Sequence, residues 1–194
     1  MAKTATTGFS FRKSIYGVDL PAAQDYILAG SATVKIGDLV RVNTTGYLVR
    51  CETTEAPSGV LIGITDRDGI NVFSPRASGT TGATLTPDDQ ILTSSTNASD
   101  ATRNLKGQVI VDPAGACLWF NDADGNFTQA DVFVMMDVAN GNQVTTGVKS
   151  DANGQVQLIS IDPDGDGDLS KGLFRLSENQ FGIGLDSATA KNAA

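Results

Sequence analysis

Short apolar runs alternate with turn-forming clusters along the whole of this 194-residue chain. The runs are rich in Val, Ile, Leu, Phe and Thr, and groups of Gly, Asn, Asp and Ser interrupt them at short intervals. No window combines a sustained helical period with helix start and stop signals. Because β-branched and aromatic residues between turn signals favour strands, the pattern predicts an all-β protein. We expect a barrel or sandwich of short antiparallel strands with an extended N-terminal arm.

The clearest local unit is the segment "GDLVRVNTTGYLVRC", residues 37–51. Two apolar runs flank the sequence "NTTG", which supplies Asn43 and Gly46 for a tight turn. The segment therefore predicts a β-hairpin. The same logic predicts a second hairpin over residues 59–75, with "DRDG" as its turn.

The chain divides into three regions by composition. Residues 1–16 contain no turn-bounded strand and are interpreted as an extended arm that needs a partner surface to become ordered. Residues 17–186 form the predicted β domain, and residues 187–194 form a flexible tail. A polar excursion over residues 76–104, in which only "QILTS" resembles a strand, marks a boundary between two sub-regions.

Charge is distributed unevenly over the chain. The net charge of −8 arises entirely after residue 110, because residues 1–110 hold ten acids and ten bases whereas residues 111–194 hold twelve acids and four bases. The acidic half disfavours nucleic acid as a partner, since binding the phosphate backbone requires clustered Lys and Arg. The neutral half is the better candidate for docking to another protein. No apolar window approaches the roughly 20 residues of a membrane helix, so we expect no membrane partner.

The commonest general base near neutral pH is missing, although carboxylates, Ser, Lys and Tyr could still perform chemistry. The chain has no histidine, which excludes Ser-His and Cys-His triads and removes the commonest transition-metal ligand. Cys51 and Cys117 lie far apart in apolar runs and are expected to be buried free thiols. We therefore expect no enzymatic activity. Most of a group of large apolar residues are expected in the core, with one or two at an interface, namely Trp119, Phe120, Phe133, Met135 and Met136.

One stretch, "IDPDGDGDLSKG", has the composition of a calcium loop. Asp162, Asp164, Asp166 and Asp168 supply oxygen ligands at alternating positions, around glycines that permit a tight bend. The position that should carry a bidentate Glu holds a leucine, and the preceding segment reads as a strand, so an EF-hand is excluded. An Asp-rich calcium turn with Glu178 as a further ligand stays open, and so does a solvated connection between two strands. The shorter "FNDADGNF" predicts a hairpin turn.

The chain also resembles a known group of proteins. "TTGFSFRKSIYG", "DYILAGSATVKIGDLVRVNTTGYLVRC", "GVLIGIT" and the closing section through "QVQLISIDPDGDGDLSKGLFRLSENQFG" follow one another as in small structural proteins of tailed bacteriophages. These proteins are encoded beside the major capsid protein and decorate or cement the head. The loop before the last strand varies within the group, which argues against an obligatory calcium site.

The resemblance implies a structural virion protein that is made in the host cytoplasm and located on the capsid exterior. Its partner would be the major capsid protein, and it would assemble as a homo-oligomer, a trimer or another symmetric form. Strand addition by the arm would supply adhesion, with Phe9, Phe11, Arg12 and Tyr16 as the capsid contacts. The alternative function is a calcium-dependent binding module of the β-sandwich type, for example one that recognises carbohydrate or a cell surface.

Overall fold

The computed structural model describes residues 8–15, 22–29, 33–65, 91–93, 105–112, 114–150, 154–177 and 180. Within these ranges the chain forms thirteen β-strands and one 3-10 helix, Gln129–Asp131, so the predicted all-β class is confirmed. In chain order the strands are β1 Ser10–Ser14, β2 Gln24–Ile27, β3 Thr33–Lys35, β4 Leu39–Val42, β5 Leu48–Arg50, β6 Gly59–Thr65, β7 Ile91–Thr93, β8 Lys106–Val111, β9 Cys117–Asp122, β10 Met135–Ala139, β11 Gln143–Ser150, β12 Val156–Ile161 and β13 Lys171–Leu176.

Two antiparallel sheets pack against each other as a sandwich. The six-stranded sheet has the order β1-β9-β13-β12-β10-β11, and the five-stranded sheet has the order β2-β8-β6-β4-β5. Strands β3 and β7 form a separate two-stranded sheet. The strand β7 lies inside the polar excursion, where "QILTS" predicted it.

The five-stranded sheet is apolar on both faces. Side chains alternate along a strand, so Val60 and Leu61 in β6 enter two different cores. A parallel bridge between Leu28 and Leu48 brings the ends of the outer strands β2 and β5 together, which curls this sheet. Burial on both faces explains why its strands read as nearly continuous apolar runs.

The core between the two sheets draws on both halves of the chain. Trp119 and Phe127 are almost fully buried in it, and Phe127 packs edge-on against Phe174 with ring centroids 5.8 Å apart. Leu39 and Ile110 join them from the five-stranded sheet. The second core includes Leu28, Val34, Val40, Leu48, Leu61, Ile64 and Val109.

The hairpin predicted over residues 37–51 is confirmed. Strands β4 and β5 pair in an antiparallel register that sets Arg41 opposite Val49. The Asn43 side chain closes the turn, because its Oδ1 accepts hydrogen bonds from the backbone N–H groups of Thr45 at 3.0 Å and Tyr47 at 2.9 Å. Gly46 follows with a φ of 85°, a conformation that glycine adopts without strain.

The N-terminal segment requires a correction. Residues 10–14 are extended, as predicted, but they form β1 and pair with β9 of the same chain. The segment therefore does not wait for a partner surface to become ordered between residues 8 and 15. Phe9 is only 3% exposed, and its N–H donates to the Gly37 carbonyl at 2.8 Å. Burial of this aromatic side chain in the core explains why the segment is held against the domain.

The connection after β9 is also different from the prediction. "FNDADGNF" was expected to be a hairpin turn, but β9 pairs with β1 and β13 and not with the next strand, β10. Asp124 instead accepts hydrogen bonds from the N–H and the hydroxyl of Thr146, at 2.8 and 2.7 Å. The carboxylate thus fastens the connection to β11. For the hairpin predicted over residues 59–75, β6 is the first strand, and the remainder lies outside the described residues, as does the tail 187–194.

Candidate interaction surfaces

The Asp-rich stretch is the connection between the antiparallel neighbours β12 and β13. Its carboxylates fold the loop by accepting local hydrogen bonds. The two oxygens of Asp162 accept from the N–H groups of Asp166 at 3.0 Å and Gly167 at 2.9 Å. Asp168 accepts from the N–H and hydroxyl of Ser170 at 3.1 and 2.7 Å. These contacts are typical of Asx turns, in which aspartate stabilises a bend without a metal ion.

Cations of the chain itself neutralise the other two carboxylates of this loop. Asp164 forms a salt bridge with Arg12 at 3.1 Å, and Asp166 bonds the ammonium group of Lys171. The hydrogen bond from Lys171 lowers the pKa of Asp166. Mutual repulsion among the aspartates is therefore offset without an ion. The described residues contain no cluster of three or more metal-ligating side chains, and Glu178 lies outside them.

The residues predicted to contact a capsid occupy different environments. Phe9 is buried, and Phe11 is half-buried with its ring 5.7 Å from that of Trp119. Arg12 lies over the ring of Phe120 at 4.7 Å, within the range of a cation–π interaction. Tyr16 lies outside the described residues. Among those of the four residues that the structure describes, Arg12 therefore has the most exposed side chain.

Both cysteines are buried free thiols, as predicted. Burial raises the pKa of Cys117 to about 12, and burial also raises the pKa of Cys51 far above its ordinary value. Because the thiolate is the reactive form of cysteine, neither group is poised as a nucleophile.

A groove about 540 Å³ in volume opens on the six-stranded sheet. We call it the Phe133 groove, and its lining includes Lys13, Ile15, Leu118, Phe133, Ile159 and Arg175. Phe133 is 66% exposed and Ile15 is 49% exposed, the two highest values among the exposed large apolar side chains of the described residues. An apolar surface of this kind is typical of a site that binds another protein.

The backbone holds Phe133 in this exposed position. Its φ is 69°, in the left-handed region that an aromatic residue rarely adopts. Its N–H donates to the Leu158 carbonyl at 2.8 Å, and its carbonyl accepts from Gln157 Nε2 at 2.7 Å. Gln157 in turn accepts a hydrogen bond from Arg175 Nε at 2.8 Å. Such strain persists only where the surroundings fix it, and it is concentrated at functional sites.

Asp131 anchors the turn that leads to Phe133. This buried carboxylate accepts hydrogen bonds from the N–H and hydroxyl of Thr128 at 2.7 and 2.9 Å and forms a salt bridge with Lys149 at 2.6 Å. The hydrogen bond from Lys149 lowers the pKa of Asp131. These contacts connect the turn to both β11 and β12. They therefore fix the position of the backbone that carries the Phe133 ring.

A second exposed apolar surface lies on the five-stranded sheet. The parallel bridge joins Leu28 to Leu48, and both side chains point into the core. Because side chains alternate along a strand, the preceding residues Ile27 and Tyr47 point outward side by side. Ile27 is 43% exposed and Tyr47 is 44% exposed. We call this pair the Ile27–Tyr47 patch, and it belongs to the half of the chain that has no net charge.

Sequence reasoning found one of these surfaces only in general terms. It expected one or two large apolar residues of the second half at an interface, and the structure buries Trp119 and Met136 while it exposes Phe133. The signal that could have identified Phe133 is the polar "TQAD" turn just before it, which interrupts the strand pattern. No local signal identifies the Ile27–Tyr47 patch, because it depends on a bridge between distant strands.

Comparison with known proteins gives no relative: no family model, no curated protein and no solved structure matches this chain. In the described residues, no helix has the length and apolar character required to span a membrane.

Proposed function

We propose that this protein is a structural component of a bacteriophage virion that decorates the capsid exterior and stabilises the shell by binding the major capsid protein. It is made in the host cytoplasm, assembles as a symmetric homo-oligomer and acts by adhesion, with no reaction to catalyse. The order of strand and turn motifs that resembles phage decoration proteins supports this function.

One structural observation supports it further, namely that the two sheets each carry an exposed apolar surface. A decorating oligomer needs two kinds of protein contact, one to the shell and one between its own copies. The Phe133 groove lies on the six-stranded sheet, and the Ile27–Tyr47 patch lies on the five-stranded sheet. Because they belong to different sheets, the chain has separate surfaces for two such contacts.

The Ile27–Tyr47 patch is the surface that we assign to the capsid. It lies in the part of the chain where acids and bases balance, so this part adds no net charge that would repel a lattice of either sign. Tyrosine is enriched among residues that dominate binding energy, since it buries a large ring and keeps a polar tip. The acidic second half then faces away from the shell.

Co-expression with the major capsid protein encoded beside this chain tests the proposal. We expect the chain to sediment with assembled shells in a density gradient. Tyr47→Asp should weaken binding about tenfold or more, because loss of a central aromatic contact costs about 2 kcal/mol. Thr44→Asp, an exposed change in the same turn, serves as the control and should bind like the wild-type chain.

Two outcomes would overturn the proposal. One is a folded wild-type chain that stays at the top of the gradient while the shells sediment without it. The other is an activity screen in which the chain alone converts a small molecule at a rate that scales with its concentration.

A further inference from the structure

We propose that the Phe133 groove binds the Asp-rich loop of a second copy of this chain, so that two copies form a dimer with two reciprocal contacts. This inference deepens the proposed function, because it assigns the contact between copies and leaves the Ile27–Tyr47 patch for the capsid. The charge and shape of two surfaces on the same sheet face support this inference.

The groove has a charge opposite to that of the whole chain. Its rim carries Lys13 and Arg175, and none of the described residues that line it is acidic, although the chain as a whole has a net charge of −8. Arg175 bonds Gln157 through Nε, and the structure pairs neither cation with a carboxylate among the described residues. The groove therefore suits an apolar side chain that is flanked by carboxylates.

The end of the Asp-rich loop that adjoins β13 has this chemistry. Leu169 is 46% exposed and follows directly after Asp168, in the sequence "DGDLS". The four aspartates of the loop together with Arg12 and Lys171 give a local charge of four acids minus two bases, which is −2. A carboxylate oxygen accepts more than one hydrogen bond, so the internal contacts of these aspartates leave them able to bind a further cation.

Both surfaces lie on the same face of the six-stranded sheet. Leu118 lines the groove, and Phe120 shares its face because it lies two residues further along β9. Arg12 lies over Phe120 and reaches Asp164, which places the loop beside that face. Arg175 at the groove and Lys171 at the loop are four residues apart in β13, or about 13 Å at the usual rise per residue.

The distance between the groove and the loop on one chain determines how two copies can pair. The strands β12 and β13 hold the loop, so its tip does not fold back into the groove of its own chain. When two copies face each other about a two-fold axis that passes between loop and groove, each loop enters the partner's groove. A two-fold contact of this kind forms both pairs of surfaces at once, which doubles the area that is buried.

Two single variants and their mixture test the proposal by sedimentation velocity over a range of concentrations. Lys13→Glu reverses the charge of the groove rim, and Leu169→Asp removes the exposed apolar side chain of the loop. We expect a dimer for the wild-type chain and an increase of at least about tenfold in the dissociation constant for each variant. Phe133→Ser is a second groove variant, and Thr44→Glu on the other sheet is the control.

The mixture distinguishes this contact from a general loss of stability. Lys13→Glu keeps an intact loop, and Leu169→Asp keeps an intact groove, so together they form one of the two contacts. We therefore expect a mixed dimer that is tighter than either variant dimer and weaker than the wild-type dimer. Circular dichroism confirms that each variant is folded.

A wild-type chain that is monomeric at its highest soluble concentration would overturn the inference, and so would variants that dimerise as strongly as the wild-type chain. Loss of shell binding by Lys13→Glu with an unchanged dimer would assign the groove to the capsid instead. Shell binding without a dimer would refute this inference alone, whereas a dimer that never binds shells would refute the proposed function alone.

Discussion

Arg12 and Asp164 lie 152 residues apart in sequence, and their side chains form a salt bridge of 3.1 Å. Sequence reasoning placed Arg12 in a capsid-binding arm and left Asp164 open between a calcium loop and a solvated connection, as two separate regions. In the folded chain they are partners of each other. The contact joins β1 to the β12–β13 connection and orders two segments that have a high density of charge.

Removal of the Arg12 side chain measures the strength of this contact. We expect Arg12→Ala to lower the free energy of unfolding by about 0.5 to 1.5 kcal/mol, since an exposed salt bridge and a cation–π contact each contribute little. The loss should shrink at high salt, which screens the salt bridge. Urea denaturation at a concentration where the chain is monomeric checks the value, with Lys13→Ala as the neighbouring control, since Lys13 has no salt bridge among the described residues. Equal losses of unfolding free energy in both variants would show that the Arg12–Asp164 salt bridge does not stabilise the fold specifically.

Calcium should have little effect on thermal stability. Calcium requires six to eight oxygen ligands around one point, and the described residues contain no cluster of three or more metal-ligating side chains. We expect the melting temperature to be the same with 1 mM calcium as with a chelator. A site with a Kd of about 10 µM would add about 2.7 kcal/mol and raise the melting temperature by roughly 5 to 10 °C. A rise of that size, abolished by Asp164→Asn, would favour the calcium-dependent binding module.

The contribution of Asp38 to stability should fall as pH rises from about 4 to about 7. Asp38 is 1% exposed, and burial raises the pKa of its carboxyl group from 3.8 to about 7. The folded state therefore favours the protonated form, so this contribution is complete below the unfolded pKa and is lost as pH rises through the folded pKa. At 1.36 kcal/mol for each pKa unit, the loss amounts to at most roughly 4 kcal/mol.

The variant Asp38→Asn isolates this effect. The amide is neutral at every pH, and its oxygen can still accept the hydrogen bond that Asp38 Oδ2 receives from the N–H of Lys35 at 2.7 Å. We expect the variant to gain stability relative to the wild-type chain between pH 4 and pH 8. Asp25→Asn, an exposed change on β2, is the control and should show no such gain. If the free energy of unfolding changed with pH in the same way in the wild-type chain and in Asp38→Asn, the pH dependence could not be attributed to Asp38.

Glycine at position 59 is required for the packing of the five-stranded sheet. A Cβ atom there would lie 2.0 Å from the carbonyl oxygen of Ile110. The backbone would therefore have to move to accommodate a side chain. We expect Gly59→Ala to lower the free energy of unfolding by roughly 1 to 3 kcal/mol. Gly147→Ala is the matched strand control, because among the described residues no atom beyond its chain neighbours lies within 4 Å of its Cβ position. Its effect should stay within about 0.5 kcal/mol. Similar effects in both variants would contradict this explanation.

Features encoded within one or two adjacent strands could be predicted from the sequence. The hairpin around Asn43 is one such case, because a polar turn and two apolar runs within fifteen residues specify both strands and their register. The burial of Cys51 and Cys117 follows equally from their apolar surroundings. The conflict between a calcium loop and a strand connection could not be decided, since it depends on the partners of each carboxylate.

The sequence by itself determined the all-β class, the hairpin around Asn43 and the absence of histidine. Only the tertiary structure decided that Phe9 is buried, that Arg12 bonds Asp164 and that Ile27 lies beside Tyr47. The physical reason is that alternation and turn chemistry act over a few residues. The order of strands in a sheet, by contrast, depends on which apolar faces pack together across the whole chain.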